Sequence, residues 1–240
     1  MIMKNKPPNE VSERRLHAIR VLDALRLSIK DMPVPLSVAI AQQYHDDPYL
    51  LLISCLLSLR AKDSTTLPIA QQLFKRAHTP QQMVKLSQHA LEKLIYSIGF
   101  YKQKARIIRS VSQTLLERFD GKVPHTQHEL LSINGIGYKT ANLILGMAYH
   151  EPAICVDVHV HRLANALGFV HTTTPRETEL ALQRVLPKKY WIEVNHLLVT
   201  LGQNLAILAP ELPADIVCRL LSLVPKRVIK AIKCKTPKLA

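Results

Sequence analysis

The sequence predicts an all-α protein, and three observations support this fold class. Apolar residues recur at every third or fourth position from Arg14 to Lys30, which is the spacing of one buried helix face. Signals that start helices are frequent along the chain. No segment keeps the alternation of apolar and polar residues that a half-buried strand requires. Short helices with tight connections are therefore expected throughout.

The helix-start signals are of two kinds. A capping side chain precedes a proline at Asp47-Pro48 and at Thr79-Pro80, an order that suits an N-cap followed by the first helical position. The segments Thr126 to Glu129 and Thr174 to Glu177 fit the capping box. The apolar stretch from Tyr49 to Leu59 is too short for a membrane span, which needs about 20 residues, and is expected to be a buried core helix.

The charge balance favours a polyanionic partner. The 240 residues carry 32 Lys and Arg against 18 Asp and Glu, a formal net charge of +14, and such a surplus most often accompanies nucleic-acid binding. A basic but otherwise ordinary soluble enzyme is the alternative. The lysine-rich tail from Pro225 to Ala240 is expected to be either a solvated end or a basic arm that contacts phosphates.

The chain is expected to work in a reducing compartment. Its first residues show no apolar stretch of signal-peptide length, and four cysteines give no disulfide framework. These features predict a cytoplasmic location, nucleoid-associated if the protein is bacterial, without membrane association.

Two short helices are expected to flank a glycine turn, one from Thr126 to Ile133 and one from Tyr138 to Tyr149. Between them the sequence reads NGIG, from Asn134 to Gly137. Glycine tolerates positive φ and lets another backbone approach closely. A turn that leads directly into a helix exposes backbone N–H groups at the positive end of the helix dipole, which favours an anion such as a DNA phosphate. An ordinary glycine turn is the alternative.

The residues around this turn resemble the helix-hairpin-helix of the endonuclease III family of DNA glycosylases. Asp157 also follows Lys139 by eighteen residues, as in that family. The resemblance runs from about Asp47 to Asn204 and depends on four segments in matching order: DPYLLLISCLLSLRAKD (Asp47 to Asp63), IGFYKQKARII (Ile98 to Ile108), LLSINGIGYKTANLIL (Leu130 to Leu145) and CVDVHVHRLANALG (Cys155 to Gly168).

The resemblance implies two helical parts with a DNA-binding cleft between them. The central part would cover residues 41–150, with the helix-hairpin-helix at about 126–149, and the second would combine residues 1–40 with 151–240. The implied activity is that of a bifunctional DNA glycosylase/AP lyase of base excision repair. The implied partner is double-stranded DNA with damaged bases or abasic sites, bound by a monomer. Oxidised pyrimidines are the expected lesions; a glycosylase for mismatched or other damaged bases, or a non-catalytic DNA-binding protein, is the alternative.

The resemblance assigns catalysis to Lys139 and Asp157. The amine of Lys139 would attack the sugar, for which its pKa must lie below the ordinary value of about 10.4, as burial and a helix N-terminus favour. A plain phosphate contact is the alternative. Asp157 would stabilise positive charge and move protons, or else be only an N-cap or an ion-pair partner of Arg162. His159 is expected near the site. No metal is assigned, since His159 and His161 would point in different directions on a helix.

Other residues are expected to contact and open the duplex. Phe100 and Ile98 are the proposed apolar wedge, although Phe100 could instead be a core aromatic. Arg60 stands where many relatives have glutamine, in the loop that fills the gap left by the flipped base. The hairpin contributes four expected DNA contacts: Gly135, Ile136, Gly137 and Tyr138.

No cofactor is expected. The family usually ends with four cysteines spaced C-x6-C-x2-C-x5-C that hold a [4Fe–4S] cluster. Here Ala206 stands at the first position, and Cys218 and Cys234 are the only late cysteines. The separation of Cys218 and Cys234, sixteen residues, equals the outer spacing of the motif. Counted from Cys218, the two inner positions hold Pro225 and Val228, which cannot bind iron. Two thiolates do not hold a four-iron cluster, so the sequence predicts a cluster-free enzyme.

Overall fold

The computed structural model describes residues 10–204, and within that range the chain is helical without a strand. The expected all-α class is therefore confirmed. No helix of the described range is long and apolar enough to cross a membrane. In chain order the described residues form twelve α-helices and one 3₁₀-helix: α1 (Glu10–Ser28), α2 (Leu36–Gln43), α3 (Pro48–Ser58), α4 (Asp63–Arg76), α5 (Pro80–Lys85), α6 (Gln88–Leu94), α7 (Tyr101–Phe119), α8 (Gln127–Leu131), α9 (Tyr138–Tyr149), α10 (Val158–Ala166), α11 (Pro175–Val185), the 3₁₀-helix (Lys188–Tyr190) and α12 (Glu193–Gln203).

The described chain divides into two compact units. The central unit is Val34–Cys155 and contains α2 to α9. The terminal unit joins the described parts of Met1–Pro33 and Val156–Ala240, with α1 and α10 to α12. The central unit is therefore longer at both ends than the expected range 41–150. The reason is packing: α2 lies against α3, α4 and α9, and the side-chain amide of Asn142 in α9 donates to the carbonyl of Ile154 at 3.0 Å.

Helix α3 is the buried element of the central unit. Every residue from Tyr49 to Leu57 is buried, and α2, α4, α7 and α9 pack around the helix. A helix that is apolar on all sides must be enclosed by other elements, because each exposed leucine would forfeit about 1.5–3 kcal/mol of burial free energy. The expected core helix is thereby confirmed.

The terminal unit is a smaller packing of four helices. Helix α1 lies against α11 and α12, and α10 lies against α11 and α12. Its core includes the fully buried side chains of Leu22, Leu25 and Phe169. The Arg15 guanidinium donates to the carbonyl of Val185 at 2.9 Å, so it caps the C-terminal end of α11.

The helix-start signals of the sequence correspond to observed N-caps. The hairpin helices also form, although α8 ends at Leu131, two residues before its expected end. By contrast, α4, α7 and α9 begin without a side-chain cap hydrogen bond. The four confirmed caps are Asp47 to the amide of Leu50 (2.9 Å), Thr79 to Gln82 (3.3 Å), Thr126 to Glu129 (3.3 Å) and Thr174 to Glu177 (3.2 Å).

The predictions made for the C-terminal residues lie outside the described range. They concern the missing cluster ligands and the basic tail from Pro225 to Ala240. The residues involved in the cluster prediction are Ala206, Cys218, Pro225, Val228 and Cys234.

Candidate nucleic-acid interface and catalytic residues

Gly135 is required by the fold of the hairpin. Its φ is +96°, a backbone conformation that L side chains rarely adopt. A Cβ at this position would lie 2.8 Å from Cγ2 of Ile107 on α7, closer than van der Waals contact allows. The first glycine of the turn therefore brings the hairpin against α7.

Gly137 has no such structural requirement. Its φ of −104° is open to any residue, and a Cβ there would meet no atom within 4 Å. Gly137 is the N-cap of α9, and no side chain caps this helix. The amide groups of a first helical turn have no acceptor within their own helix, so the open space beside Gly137 suits an external anion.

The two residues beside Gly137 differ in exposure. Tyr138 is 44% exposed and can contact a ligand. Ile136 is only 6% exposed, and its amide donates to the carbonyl of Ile133 at 3.1 Å. Burial in the core leaves the Ile136 side chain to hold the turn in place, and the expected DNA contact of this hairpin residue stays a prediction.

Lys139 lies in the first turn of α9 and is partly buried. The next residue, Thr140, is buried, and its Oγ1 accepts a hydrogen bond from Sγ of Cys55 on α3 at 3.5 Å. The start of α9 is thus packed against α3, which gives the lysine a rigid backbone and a partly desolvated position.

Arg60 and Phe100 form an exposed pair with unusual backbone geometry. Both residues have left-handed backbones, with φ of 55° and 61°. The Arg60 guanidinium lies over the Phe100 ring, 5.9 Å from its centroid. Phe100 is 60% exposed, so it is not a core aromatic. Non-glycine residues in this conformation cost of order 1 kcal/mol each and are concentrated at functional sites.

Ile98, the second residue expected in the wedge, is corrected by the structure. It is 1% exposed and belongs to the hydrophobic core of the central unit. Its burial removes it from any contact with DNA, while Phe100, two residues later, points into solvent. Sequence reasoning could not separate the two because both are apolar and lie in one short loop.

Lys104 is a residue whose role the sequence did not reveal. Its side chain is buried, and Nζ donates to the carbonyl of Leu57 in the last turn of α3 at 2.7 Å. Burial lowers the pKa of Lys104 to about 8. The bond connects the first turn of α7, next to Phe100, to the end of α3, next to Arg60.

The end of α3 and the starts of α7 and α9 therefore meet at one end of the central unit. We call this region the loop end and define it by Arg60, Phe100, Gly137 and Lys139. Three contacts hold it together: Lys104 to α3, Cys55 to α9, and the hairpin turn to Ile107 of α7.

Asp157 is the N-cap of α10 in the terminal unit. Its Oδ1 accepts a hydrogen bond from the amide of Val160 at 2.9 Å, and the side chain is partly buried. The N-cap role considered from sequence is therefore present. A carboxylate at a helix N-terminus is also held in a fixed position, which a catalytic group needs.

His159 packs against α12. A Cβ on Gly202 would overlap the ring of His159, so glycine at that position makes room for the histidine. His159 is partly buried. The sequence signal for this packing is Gly202, a glycine in the interior of α12, and sequence reasoning missed it.

His161 takes part in a hydrogen-bond network of the terminal unit. Its Nδ1 lies 2.6 Å from Oγ1 of Thr178, which is 2.6 Å from Oγ1 of Thr172. Asn165 accepts from the amide of Thr172 at 2.7 Å. Within residues 10–204, no group of three or more His, Cys, Asp or Glu side chains could hold a metal ion.

A helical chain with a glycine hairpin, an uncapped helix start and a lysine beside it has the features of a helix-hairpin-helix DNA-binding protein. Residues 53–188 match the HhH-GPD superfamily of base excision DNA repair proteins. The chain is 42% identical to endonuclease III of Thermotoga maritima over 159 residues, 66% of this chain and 75% of that protein. Two longer chloroplastic endonuclease III homologues of Arabidopsis thaliana are 39% and 38% identical, and the chain spans 43% and 48% of their length.

Two endonuclease III–DNA complexes are among the solved structures that are similar to this chain. One is a non-covalent endonuclease III–DNA complex, with a TM-score of 0.74, 28% identity, and coverage of 91% of this chain and 98% of that chain. The other is a trapped covalent endonuclease III–DNA intermediate with an estranged adenine, with a TM-score of 0.69, 29% identity, and coverage of 79% and 86%. The chain belongs to the HhH-GPD superfamily, and within it resembles endonuclease III.

Proposed function

We propose that this base excision repair protein acts as a DNA glycosylase and AP lyase through Lys139 and Asp157. The observation that carries the proposal is the position of Lys139: in the first turn of an uncapped helix, at the loop end that also holds Arg60 and Phe100. An amine beside a phosphate-binding turn suits attack on a sugar that the phosphate contact holds in place.

The reaction forms a bond between Nζ and C1′ and breaks three: C1′–N to the base, C1′–O4′ of the ring, and C3′–O to the 3′ phosphate. Uncharged Nζ of Lys139 attacks C1′ of the flipped nucleotide, and the C1′–N bond breaks as the damaged base leaves with a proton. Loss of a proton and opening of the sugar give a Schiff base. Removal of a proton from C2′ then expels the 3′ phosphate by β-elimination. Asp157 is proposed to carry protons in these steps and to stabilise the positive charge that develops on the sugar.

The duplex must be opened before this chemistry, because a stacked base is unreachable. Flipping costs a few kcal/mol and least for a damaged base. Phe100 is proposed to enter the stack and replace lost base contacts. Gly137 is proposed to receive a phosphate, Tyr138 to contact the backbone beside it, and His159 to lie near the sugar.

The lesion class is proposed from overall resemblance to endonuclease III. Oxidised pyrimidines are the first candidates, opposite a normal partner base in double-stranded DNA. A glycosylase for mismatched or deaminated bases remains the second candidate, since the same nucleophile and hairpin would serve it. Binding as a monomer in the cytoplasm, at the nucleoid in a bacterium, is part of the proposal.

We further propose that the enzyme works without an iron–sulfur cluster. Cys55 and Cys155 lie in the core of the central unit, which leaves two of the four cysteines of the chain. A [4Fe–4S] cluster takes four thiolates. Purified protein should show no absorption band near about 400 nm, and iron analysis should give far less than about four irons per chain. A strong band with that iron content would refute this part of the proposal.

Borohydride trapping tests the catalytic proposal. Reduction in the presence of a duplex with an abasic site should give a covalent protein–DNA adduct from the wild type and none from Lys139→Ala. Lys62→Ala is the matched control, since Lys62 is an exposed lysine near Arg60 in the same unit. Equal trapping by the wild type and Lys139→Ala would refute the assignment. DNA binding without any adduct would favour the non-catalytic DNA-binding protein.

A further inference from the structure

Resting on the proposed function, we propose that Tyr96 is a further DNA-contact residue, whose phenol donates a hydrogen bond to a backbone phosphate of the opened duplex beside the position that Phe100 enters. The contact forms with damaged DNA far more than with undamaged DNA, so Tyr96 contributes to recognition of the lesion. It is additional to the phosphate site proposed at Gly137.

The exposure of Tyr96 is the first observation that supports this proposal. Among the tyrosine, phenylalanine and tryptophan residues of the described range 10–204, three are exposed: Tyr96 at 68%, Phe100 at 60% and Tyr138 at 44%. The last two are already expected DNA contacts, one in the wedge and one beside the hairpin. An exposed tyrosine presents a hydroxyl group together with its ring, which suits a surface that meets a sugar–phosphate backbone.

Tyr96 and Phe100 share the connection from α6 to α7. Two buried isoleucines anchor this connection, Ile95 and Ile98, and the amide of Ile98 donates to the carbonyl of Ile95 at 3.0 Å. An extended chain spans at most about 3.6 Å per residue, so the Cα atoms of Tyr96 and Phe100 lie within about 14 Å of each other. That distance corresponds to about four nucleotide steps along one strand. The residues of the connection that face solvent are Tyr96, Ser97, Gly99 and Phe100.

The Tyr96 ring packs against Tyr101. The two ring centroids are 5.0 Å apart and the ring planes meet at 62°, which is an edge-to-face pair. Tyr101 is the first residue of α7 and directly follows Phe100, so the pair connects Tyr96 to the helix that begins at the wedge. A ring that is already packed loses little freedom when its hydroxyl group meets a ligand, which lowers the entropic cost of the contact.

The charges near Tyr96 in the sequence favour a phosphate as its partner. Lys93 lies three residues before Tyr96 and Lys102 lies two residues after Phe100, and both lysines are exposed. Lysines attract DNA phosphates whatever the base sequence, and tyrosine is among the side chains that donate to phosphate oxygens. The bases of the paired strands remain stacked on one another, so the backbone is the part of the duplex that an exposed phenol can reach.

The contact depends on opening of the duplex, because Tyr96 approaches the DNA together with Phe100. An aromatic wedge enters the stack where a nucleotide has left it, and extrusion costs least at a damaged or unpaired position. Entry of the wedge brings the whole connection from α6 to α7 against the strand. An undamaged duplex is seldom opened, so its backbone stays farther from Tyr96.

The test compares Tyr96→Phe with the wild type, because this substitution removes only the hydroxyl group and keeps the ring pair with Tyr101. Fluorescence anisotropy measures binding to a duplex with an abasic-site analogue that resists cleavage, and to the undamaged duplex of the same sequence. Tyr96→Phe should bind the analogue about tenfold more weakly, since a hydrogen bond to a charged group is lost, and the undamaged duplex within about twofold of the wild type.

Cleavage kinetics provide a second measurement on the same variant. In single-turnover reactions with a cleavable abasic duplex, the rate at saturating enzyme should stay within about twofold of the wild type, because Lys139 and Asp157 are unchanged. The rate at subsaturating enzyme should fall about tenfold with the affinity. A fall of the same size at saturating enzyme would overturn the inference, since Tyr96 would then affect the chemistry rather than binding.

Tyr44→Phe is the matched control. Tyr44 also makes an edge-to-face ring pair, with Phe74 at 5.4 Å between centroids, but it lies close to the start of α3, whereas the loop end lies where α3 ends. It should keep the wild-type affinity for both duplexes. Binding of the analogue by Tyr96→Phe within about twofold of the wild type, an equal loss on both duplexes, or the same loss in Tyr44→Phe would each overturn the inference.

The outcomes for Tyr96 and for the proposed function are distinguishable. Unchanged binding by Tyr96→Phe, together with a borohydride adduct of the wild type, would refute the Tyr96 contact alone. A wild type that forms no adduct with an abasic duplex would refute the proposed function.

Discussion

The starts of α9 and α10 show two different uses of a helix N-terminus. Both helices have a proposed catalytic residue at their N-terminal end: Lys139 in the first turn of α9 in the central unit, and Asp157 as the N-cap of α10 in the terminal unit. Helix α10 is closed by its own side chain, since Asp157 accepts the amide of Val160. Helix α9 has glycine at its N-cap, no side-chain cap, and open space beside Gly137.

The two helix starts differ in what satisfies their amide groups: a side chain of the protein at α10, and no side chain at α9. At α10 the carboxylate satisfies the helix, and any catalytic use of it is added to a stabilising role of about 1 kcal/mol. At α9 the protein gives up such a cap, and the open position is useful only if another group occupies it. A DNA phosphate has the charge and size for that position.

The largest effect is expected from Lys139→Ala, which tests whether the open helix start serves catalysis. Strand cleavage at an abasic site should fall at least about a thousandfold, because the substitution removes the amine that is proposed to form the Schiff base. The melting temperature should change little, since Lys139 is only partly buried. Single-turnover cleavage and thermal unfolding measure the two quantities. Retained cleavage would leave the start of α9 as a phosphate contact without a nucleophile.

The closed helix start is tested by a pair of substitutions at Asp157. Asparagine caps helices as well as aspartate, so Asp157→Asn should leave the free energy of unfolding within about 0.5 kcal/mol of the wild type. Cleavage should still fall about 10²- to 10⁴-fold through loss of the carboxylate. Asp157→Ala should lose the activity and also about 1 kcal/mol of stability. Wild-type activity in Asp157→Asn would reduce this residue to a cap.

Alanine substitutions at the two glycines of the hairpin separate DNA binding from stability within a single turn. Gly137→Ala should weaken binding to a duplex with an abasic-site analogue about tenfold, since a methyl group would occupy the space proposed for a phosphate. Its stability should stay within about 1 kcal/mol of the wild type. Gly135→Ala should instead lose about 1–3 kcal/mol, because of its positive φ and the contact with Ile107.

Fluorescence anisotropy and urea unfolding of the two glycine variants provide the measurement. Gly137→Ala should lose DNA binding but keep its stability, whereas Gly135→Ala should lose stability. Unchanged binding in Gly137→Ala would show that no phosphate uses the open side of α9.

The smallest effect concerns Lys104, which connects α7 to α3 at the loop end. Burial lowers its pKa from 10.5 to about 8, so between these pH values the unfolded chain holds more protons than the folded one. Folding stability should therefore rise with pH across that window in the wild type relative to Lys104→Met. Below pH of about 8 the ammonium is buried at a constant cost, and the difference between the two proteins should be flat.

The relative gain should be about 1 kcal/mol, since one pKa unit corresponds to 1.36 kcal/mol and partial hydration reduces the full shift. Urea unfolding at pH of about 7.5, 9 and 10.5 measures it. Lys102→Met, at an exposed position of the same helix, is the control and should show no such trend. A flat difference for Lys104→Met across the window would contradict the buried ammonium.

The helices and their caps were predictable because the signals are local. Thr126, Asp47 and the proline after Asp47 each act within about four residues of chain, and the structure has the expected helix starts. Exposure was not predictable in the same way. Ile98 and Phe100 look alike in sequence, yet one is core and the other faces solvent because of helices far away in the chain.

The sequence by itself determined the all-α class, the hairpin, and the order of residues that identifies the family, since periodicity, capping and glycine geometry are properties of short segments. Only the tertiary structure decided that Ile136 and Ile98 are core residues, that the Arg60 guanidinium lies over the Phe100 ring, and that Lys104 joins their loops. These facts depend on packing between segments separated by tens of residues, and burial is a property of the whole assembly of helices rather than of any one of them.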